Sequence, residues 1–249
     1  AVLVPIYFAD IFISATKMSD FRALEIAGAA SKSNKKYDSR NKTEVILDYQ
    51  AEGKKVVPVL YPYLVSKRDS TGKFFSTISV KNKNILLLAA GPSNTLTVMC
   101  NEGGYYVDYV SDARGFRNPP GSWGKGNVDF ILLGDSYTHG SCVEYNDSLA
   151  GYFASQLPKS KILNLGVGSS GGLLIYARLQ EYGHEVNARN VLWLFFEGND
   201  IHETMDEFNN YPEIFRYFKD PLFRQSLSSM QKDIDKSLHR FAQNALVGS

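Results

Sequence analysis

Val128-Asp129-Phe130-Ile131-Leu132-Leu133-Gly134-Asp135-Ser136 (VDFILLGDS) is the stretch on which the fold turns. A short, largely apolar run leads straight into a glycine turn, the pattern of a buried strand reaching its carboxyl end. A helical pattern follows at Asp147–Gln156. The rhythm then recurs twice. Lys161–Leu165 runs into Gly166 and a helical stretch at Gly172–Glu181, and Asn190–Phe196 (NVLWLFF) runs into Glu197-Gly198-Asn199-Asp200. Apolar strands alternating with helices predict an α/β domain, with a parallel sheet covered by helices on both faces. Ligands of such sheets bind outside the carboxyl ends of the strands, where all three turns fall.

Upstream of this domain the pattern is different. Ser31–Asn41 (SKSNKKYDSRN) is polar and reads as a linker. Asp38 or Ser39 is placed to cap a helix over Thr43–Glu52, whose apolar face is Val45, Ile46 and Tyr49, and Gly53 ends it. Val56–Leu60, Phe74–Val80, Ile85–Leu88 and Thr95–Met99 read as short strands. The expected organisation is an apolar or helical segment at 1–30, an α+β extension at 31–124 and the sheet domain at 125–249.

Ala1–Ala15 is apolar but contains Asp10 and falls short of the roughly 18 residues of a membrane span. It reads as the tail of an upstream membrane anchor, the end of a signal sequence, or a buried helix. Lys32, Lys35, Lys36, Arg40 and Lys42 follow, and the positive-inside tendency would hold them in the cytoplasm. That opposes the extracytoplasmic, membrane-anchored location favoured by the enzyme reading below.

Composition excludes several classes. The 249 residues carry 27 Lys+Arg against 26 Asp+Glu, so no basic footprint for nucleic acid stands out. Fifteen Phe and fifteen Tyr argue against disorder, and two Cys with four scattered His cannot close a Cys/His zinc site within the chain. Cys100 and Cys142 are either one bridge or two buried thiols.

The chemistry-bearing residues lie at the strand ends. Ser136 follows a glycine in a strand-to-helix turn, where its backbone N–H is a ready oxyanion donor. The turn Gly166–Gly172 and the side chain of Asn199 offer further donors. A serine there can also simply cap a helix.

Gly134-Asp135-Ser136-Tyr137-Thr138-His139-Gly140 resembles the first block of the SGNH (GDSL) hydrolases. Asn164-Leu165-Gly166-Val167-Gly168-Ser169 is similar to the second block, and Gly198-Asn199-Asp200 to the third. The likeness covers Val128–Asp200 with blocks in the family's order, and Ser111–Gly121 (SDARGFRNPPG) resembles a segment of a bacterial branch with upstream extensions. It implies a flavodoxin-like three-layer α/β/α sandwich and a serine esterase acting on an ester or O-acyl group, including one on a carbohydrate. Ser136 would be the nucleophile, the N–H of Ser169 or Gly168 one oxyanion donor, and the Asn199 amide another. No cofactor is implied.

Two departures stand in the motifs: Ser169 replaces a common glycine, and Glu197 replaces the first glycine of the third block. The family's Asp-x-x-His block is absent, since Asp235 precedes His239 by four residues. The expectation is that the sequence stops before the base, with His202 the best substitute inside it and His139 a poorer one. Three other readings compete. The same acyl chemistry serves a polysaccharide O-acyltransferase, and an SGNH-like fold can serve as a non-catalytic binding module. Gly166-Val167-Gly168-Ser169-Ser170-Gly171 also fits a dinucleotide fingerprint, with Glu197 ending the next strand. Arg114 and Arg117 read as surface arginines of a turn, Asn146-Asp147-Ser148 as a helix cap, and Asn41-Lys42-Thr43 as linker.

Overall fold

The computed structural model describes residues 25–32, 34–124 and 126–247. Most of the segment at 1–30, including Ala1–Ala15, lies outside them. The fold is mixed α/β and contains a parallel sheet. Helix α1 covers 25–32, and α2 covers Lys42–Ala51. The extension then adds β1 (Val56–Pro58), β2 (Ser66–Arg68), β3 (Phe74–Ser76), β4 (Ser79–Val80), β5 (Lys83–Asn84), β6 (Leu96–Val98) and β7 (Asp108–Val110). From there the order is β8 (Asn127–Leu133), α3 (Ser136–His139), α4 (Leu149–Gln156), β9 (Ile162–Asn164), α5 (Gly172–Tyr182), β10 (Asn187–Trp193), α6 (Asp200–Asn210), α7 (Phe215–Lys219) and α8 (Gln231–Val247). No helix among the described residues is long and apolar enough to cross a membrane.

β8 is central in the sheet β10-β8-β9, and both pairings are parallel. The chain leaves β8 to one side for β9 and returns to the other side for β10, which makes the end of β8 a topological switch point. Leu133 pairs with Trp193 and Leu132 with Asn164, so the three strands end almost level. The serine turn is therefore flanked by both other turns.

One buried cluster runs through both halves of the chain. It joins Leu60, Ile78, Val80 and Leu86–Ala90 of the extension to Ile131, Leu133, Leu163, Leu165 and Ile175 around the sheet. Cys100 and Cys142 are bridged, which ties the end of β6 to the segment just after α3.

Several local expectations are corrected. Ile85–Leu88 is buried but not a strand, because side chains satisfy its backbone: Leu86 N–H donates to Gln225 Oε1, Gln225 Nε2 donates to Leu86 O, and Arg178 Nε donates to Leu88 O. Phe74–Val80 splits into β3 and β4. Asn41, not Asp38 or Ser39, caps α2, in a reciprocal pair with Glu44, while the Asp38 carboxylate is held by Arg40. Ser148 caps α4 through Gly151 N–H, in line with the reading of Asn146-Asp147-Ser148 as a helix cap.

The largest correction concerns β10. The run NVLWLFF reads as a third strand of a sheet covered by helices on both faces, yet among the described residues β10 pairs only with β8 and its side chains are mostly exposed, Val191 and Trp193 about half so. A solid apolar run marks a strand, but it fixes neither how deeply that strand is buried nor where it lies in the sheet. Arg117 is also no surface arginine. It is buried, and its guanidinium donates to the carbonyls of Gly140 and Val143 beyond α3.

The bridge closes a loop across the serine turn, and chain entropy puts the stabilisation from a loop of that size at about 2–4 kcal/mol. Replacing both cysteines by serine should lower the unfolding free energy by that amount in urea titrations, with the far-ultraviolet circular dichroism unchanged. A loss under about 0.5 kcal/mol would show that the bridge adds nothing to stability.

Candidate active site at the strand ends

Gly134 closes β8 because nothing larger fits: a Cβ there would lie 2.1 Å from Thr138 Oγ1 and 2.8 Å from Leu194 O. Gly166 is crowded the same way, with Thr138 C and His139 N each 2.6 Å from its would-be Cβ. These two glycines let the first turn of α3 sit directly between β9 and β10.

Asp135, not Ser136, is the N-cap of α3. Its Oδ1 accepts from Tyr137 N–H at 3.0 Å. Ser136 is the first helical residue, half-buried, and its Oγ donates to Asp135 Oδ2 at 3.1 Å. Asn199 Nδ2 donates to that same oxygen at 3.2 Å. The serine hydroxyl and the asparagine amide thus converge on one carboxylate oxygen. The first and third turns meet, as their places in the sequence predict.

The second turn is fixed by a chain of buried polar groups. Asn118 donates from Nδ2 to Asn164 O at 2.8 Å and accepts from Asn164 N–H at 2.7 Å, acting as a short substitute strand beside β9. Asn118 Nδ2 also donates to Asp112 Oδ2 at 2.7 Å. Asn164 Nδ2 donates to Thr138 O, and Asn164 Oδ1 accepts from Gly166 N–H. Asp112, Asn118 and Asn164 are all buried. This chain locks the 111–121 segment, β9 and α3 into one block.

Beyond it, Ser169 is exposed and adopts φ +55°, the left-handed region that glycine favours. Gly168 is buried, and its N–H points to His139 Nδ1 at 3.4 Å. Of the two donors the sequence offers, only the Ser169 N–H is therefore uncommitted.

Neither internal histidine serves Ser136. His139 is fully buried, lies edge-on to Tyr61 and Tyr109, and has Nε2 3.3 Å from the Tyr109 hydroxyl. Burial, with the charges of Arg117 and Arg178 behind it, pushes its pKa from 6.5 down to about 3. With Nδ1 accepting from Gly168, the proton rests on Nε2. His202 is exposed on α6 and lines a separate cavity of about 360 Å³ with Tyr63, Ser169, Glu203, Asp206 and Tyr211. His239 packs near Thr95, with Nε2 3.4 Å from its hydroxyl. Among the described residues no histidine hydrogen-bonds to Ser136.

Sequence reasoning missed the acids around this point. Asp200 is fully buried, and its Oδ2 accepts from Phe196 N–H at 2.8 Å. Burial and the charge of Asp135 raise the Asp200 pKa, and burial with the charges of Asp135 and Asp200 raises that of Glu203. Glu207, one turn further along α6, accepts from the N–H groups of Gly171, Leu173 and Leu174 at the start of α5. The Asp-x-x-Glu spacing from Asp200 to Glu203, one face of a first helical turn, is the signal that was there to read.

Ser136 opens onto a cavity of about 630 Å³, also lined by Tyr137, Ser141, Val143, Leu149 and Tyr152. Compared with known proteins, the chain matches no family model, no curated protein and no solved structure.

Two measurements follow from this geometry. Asn118→Ala strands both backbone groups of Asn164, and orphaned buried groups cost about 1–3 kcal/mol each, so the protein should lose about 2–4 kcal/mol in denaturant titrations. A loss below about 1 kcal/mol would mean that water replaces the amide. His139 titrates at its ordinary value in the unfolded chain and only near 3 in the fold, so below about 6.5 the unfolded state binds the extra proton. Stability from this residue is full above that pH and drains away as pH falls toward 3. His139→Gln should flatten that acid loss, and an unchanged slope between pH 6.5 and 4 would contradict it.

Proposed function

We propose that this chain carries the nucleophile and oxyanion donors of a serine acyl hydrolase of SGNH type, acting on an ester or O-acyl group. The observation that carries the reading is the convergence of Ser136 Oγ and Asn199 Nδ2 on one oxygen at the end of the central strand. The two side chains thus lie close together, as a nucleophile and an oxyanion donor must. The strand order, second-first-third when counted from β8, supports a flavodoxin-like three-layer arrangement around that point.

In this reading Ser136 Oγ attacks the acyl carbon, its proton passes to a base, and the alcohol leaves with that proton. The negative oxygen is stabilised by the N–H groups of Ser136 and Ser169 and by the Asn199 amide. Water then releases the acyl group, or a sugar hydroxyl takes it in the transferase variant. Exposed Tyr137 and Tyr152, beside Ser136 in the larger cavity, supply flat faces that suit a carbohydrate ester. The base is not among the histidines near Ser136, and a non-catalytic binding module is the reading favoured by that one fact.

A fluorophosphonate probe separates the two. Labelling should be slow, abolished by Ser136→Ala, and accelerated by added imidazole standing in for the base. Asn199→Ala should slow it by about 10²–10³-fold, the usual cost of losing an oxyanion donor. Labelling indifferent to Ser136→Ala would overturn the proposal. Hydrolysis without imidazole that is lost in His202→Ala would instead make His202 the base.

A further inference from the structure

Asp135, Asp200 and Glu203 each place a carboxylate oxygen within 4.8 Å of the other two, where the β8 turn meets the first turn of α6. Helix N-termini favour acids, but only a few, and each acid normally finds a donor. Among the described residues three buried oxygens here find none: Asp200 Oδ1, Glu203 Oε2 and Asn199 Oδ1. Asp200 is fully buried, so water does not make up the deficit from outside. Asn199 is anchored to the cluster by its own amide nitrogen, which donates to Asp135. Orphaned acceptors without an orphaned donor among them suit a positively charged ligand.

We propose that these residues form a binding site for a hard divalent cation, calcium, at the base of the serine turn. The donor set is all oxygen, three carboxylates with the Asn199 amide oxygen beside them, which suits calcium, magnesium or manganese over zinc or copper. A spread of up to 4.8 Å between the carboxylate oxygens lies within calcium's reach. Bonds of about 2.3–2.6 Å let opposed ligands stand about 4.6–5.2 Å apart, whereas magnesium, at about 2.0–2.1 Å, draws them closer. Bound there, the ion neutralises mutually repelling acids and pins α6, and so Asn199, against the turn that carries Ser136. The inference stands on the oxygens alone and is independent of whether Ser136 is a nucleophile.

Isothermal titration of calcium into chelator-treated protein tests it directly. One ion should bind per chain with a dissociation constant on the order of 10⁻⁵ M, and the melting temperature should rise with calcium and fall back with EDTA. Glu203→Gln keeps the shape of the side chain and leaves Asp200's bond to Phe196 intact, so the variant should fold, as its own melting curve will show. Its calcium affinity should drop at least tenfold, and Asp200→Asn should abolish binding. No heat and no melting shift at about 1 mM calcium, or equal affinity in Glu203→Gln, would overturn the site. Tighter binding of magnesium than of calcium would overturn the choice of ion.

Discussion

Everything at the strand ends depends on the buried run of hydrogen bonds from Asp112 through Asn118 to Asn164. β9 is only three residues long and pairs with β8 on one side, so its outer edge has unpaired backbone. A buried edge with open N–H and C=O groups would cost several kcal/mol. Asn118 removes that cost by presenting one acceptor and one donor to Asn164 at strand-like distances. Asn118 is itself held by Asp112, whose other bonds go to Arg114 N–H, Phe116 N–H and Trp123 Nε1. Burial still raises the Asp112 pKa against the pull of all these donors, so desolvation outweighs the hydrogen bonds there. The carboxyl group sits in this interior because it organises a loop, and that loop in turn makes the sheet edge tolerable.

The same trade recurs at the other side of the sheet, with a different balance. Asp135 divides its two oxygens between capping α3 and receiving Ser136 and Asn199. Asp200 and Glu203 approach it without enough donors to go round. Where Asp112 is saturated, the acids beside Ser136 are under-supplied. A polar network that is only partly satisfied is unstable unless something else completes it, and its position beside the reactive serine makes completion a functional matter. The disulfide and Arg117 act on the opposite flank, both holding the 140–143 segment that follows α3. The serine turn is thus braced from β9, from α6 and from the chain that leaves it.

What the sequence makes legible is what repeats locally. VDFILLGDS shows its strand and its turn in one run, because β8 is interior and all its constraints lie along the chain. Ser136 and Asn199 are readable since each lies in the turn that follows a strand of the same sheet. The burial of β10 is misread, because NVLWLFF has the same composition at an edge as in the middle. Ile85–Leu88 is misread for the opposite reason: it is buried, but Gln225 and Arg178, both distant in sequence, take the hydrogen bonds a neighbouring strand would have made. Arg117 looks like an ordinary surface charge until tertiary contacts bury it, and Glu203 until the fold brings it beside Asp135 and Asp200. No local pattern encodes those contacts.

The rival reading of the glycine-rich turn can be decided on hydrogen bonds alone. A dinucleotide's pyrophosphate would have to be cradled by the N–H groups opening α5. Those groups are already taken: Gly171, Leu173 and Leu174 donate to the Glu207 carboxylate, and Gly172 donates to Thr204 Oγ1 at 2.7 Å. An intramolecular carboxylate occupies the very place where a phosphate would bind, and burial raises its pKa to about 7. A bound pyrophosphate would need to expel Glu207 and meet Glu203 and Asp206 along the same helix, a concentration of negative charge that opposes it. Gly171 is glycine for a reason of packing, because a Cβ there would lie 2.3 Å from the backbone nitrogen of Thr204 in α6. The glycines that mimic a nucleotide fingerprint instead allow α6 to close against α5, which is what carries Asn199 to the serine.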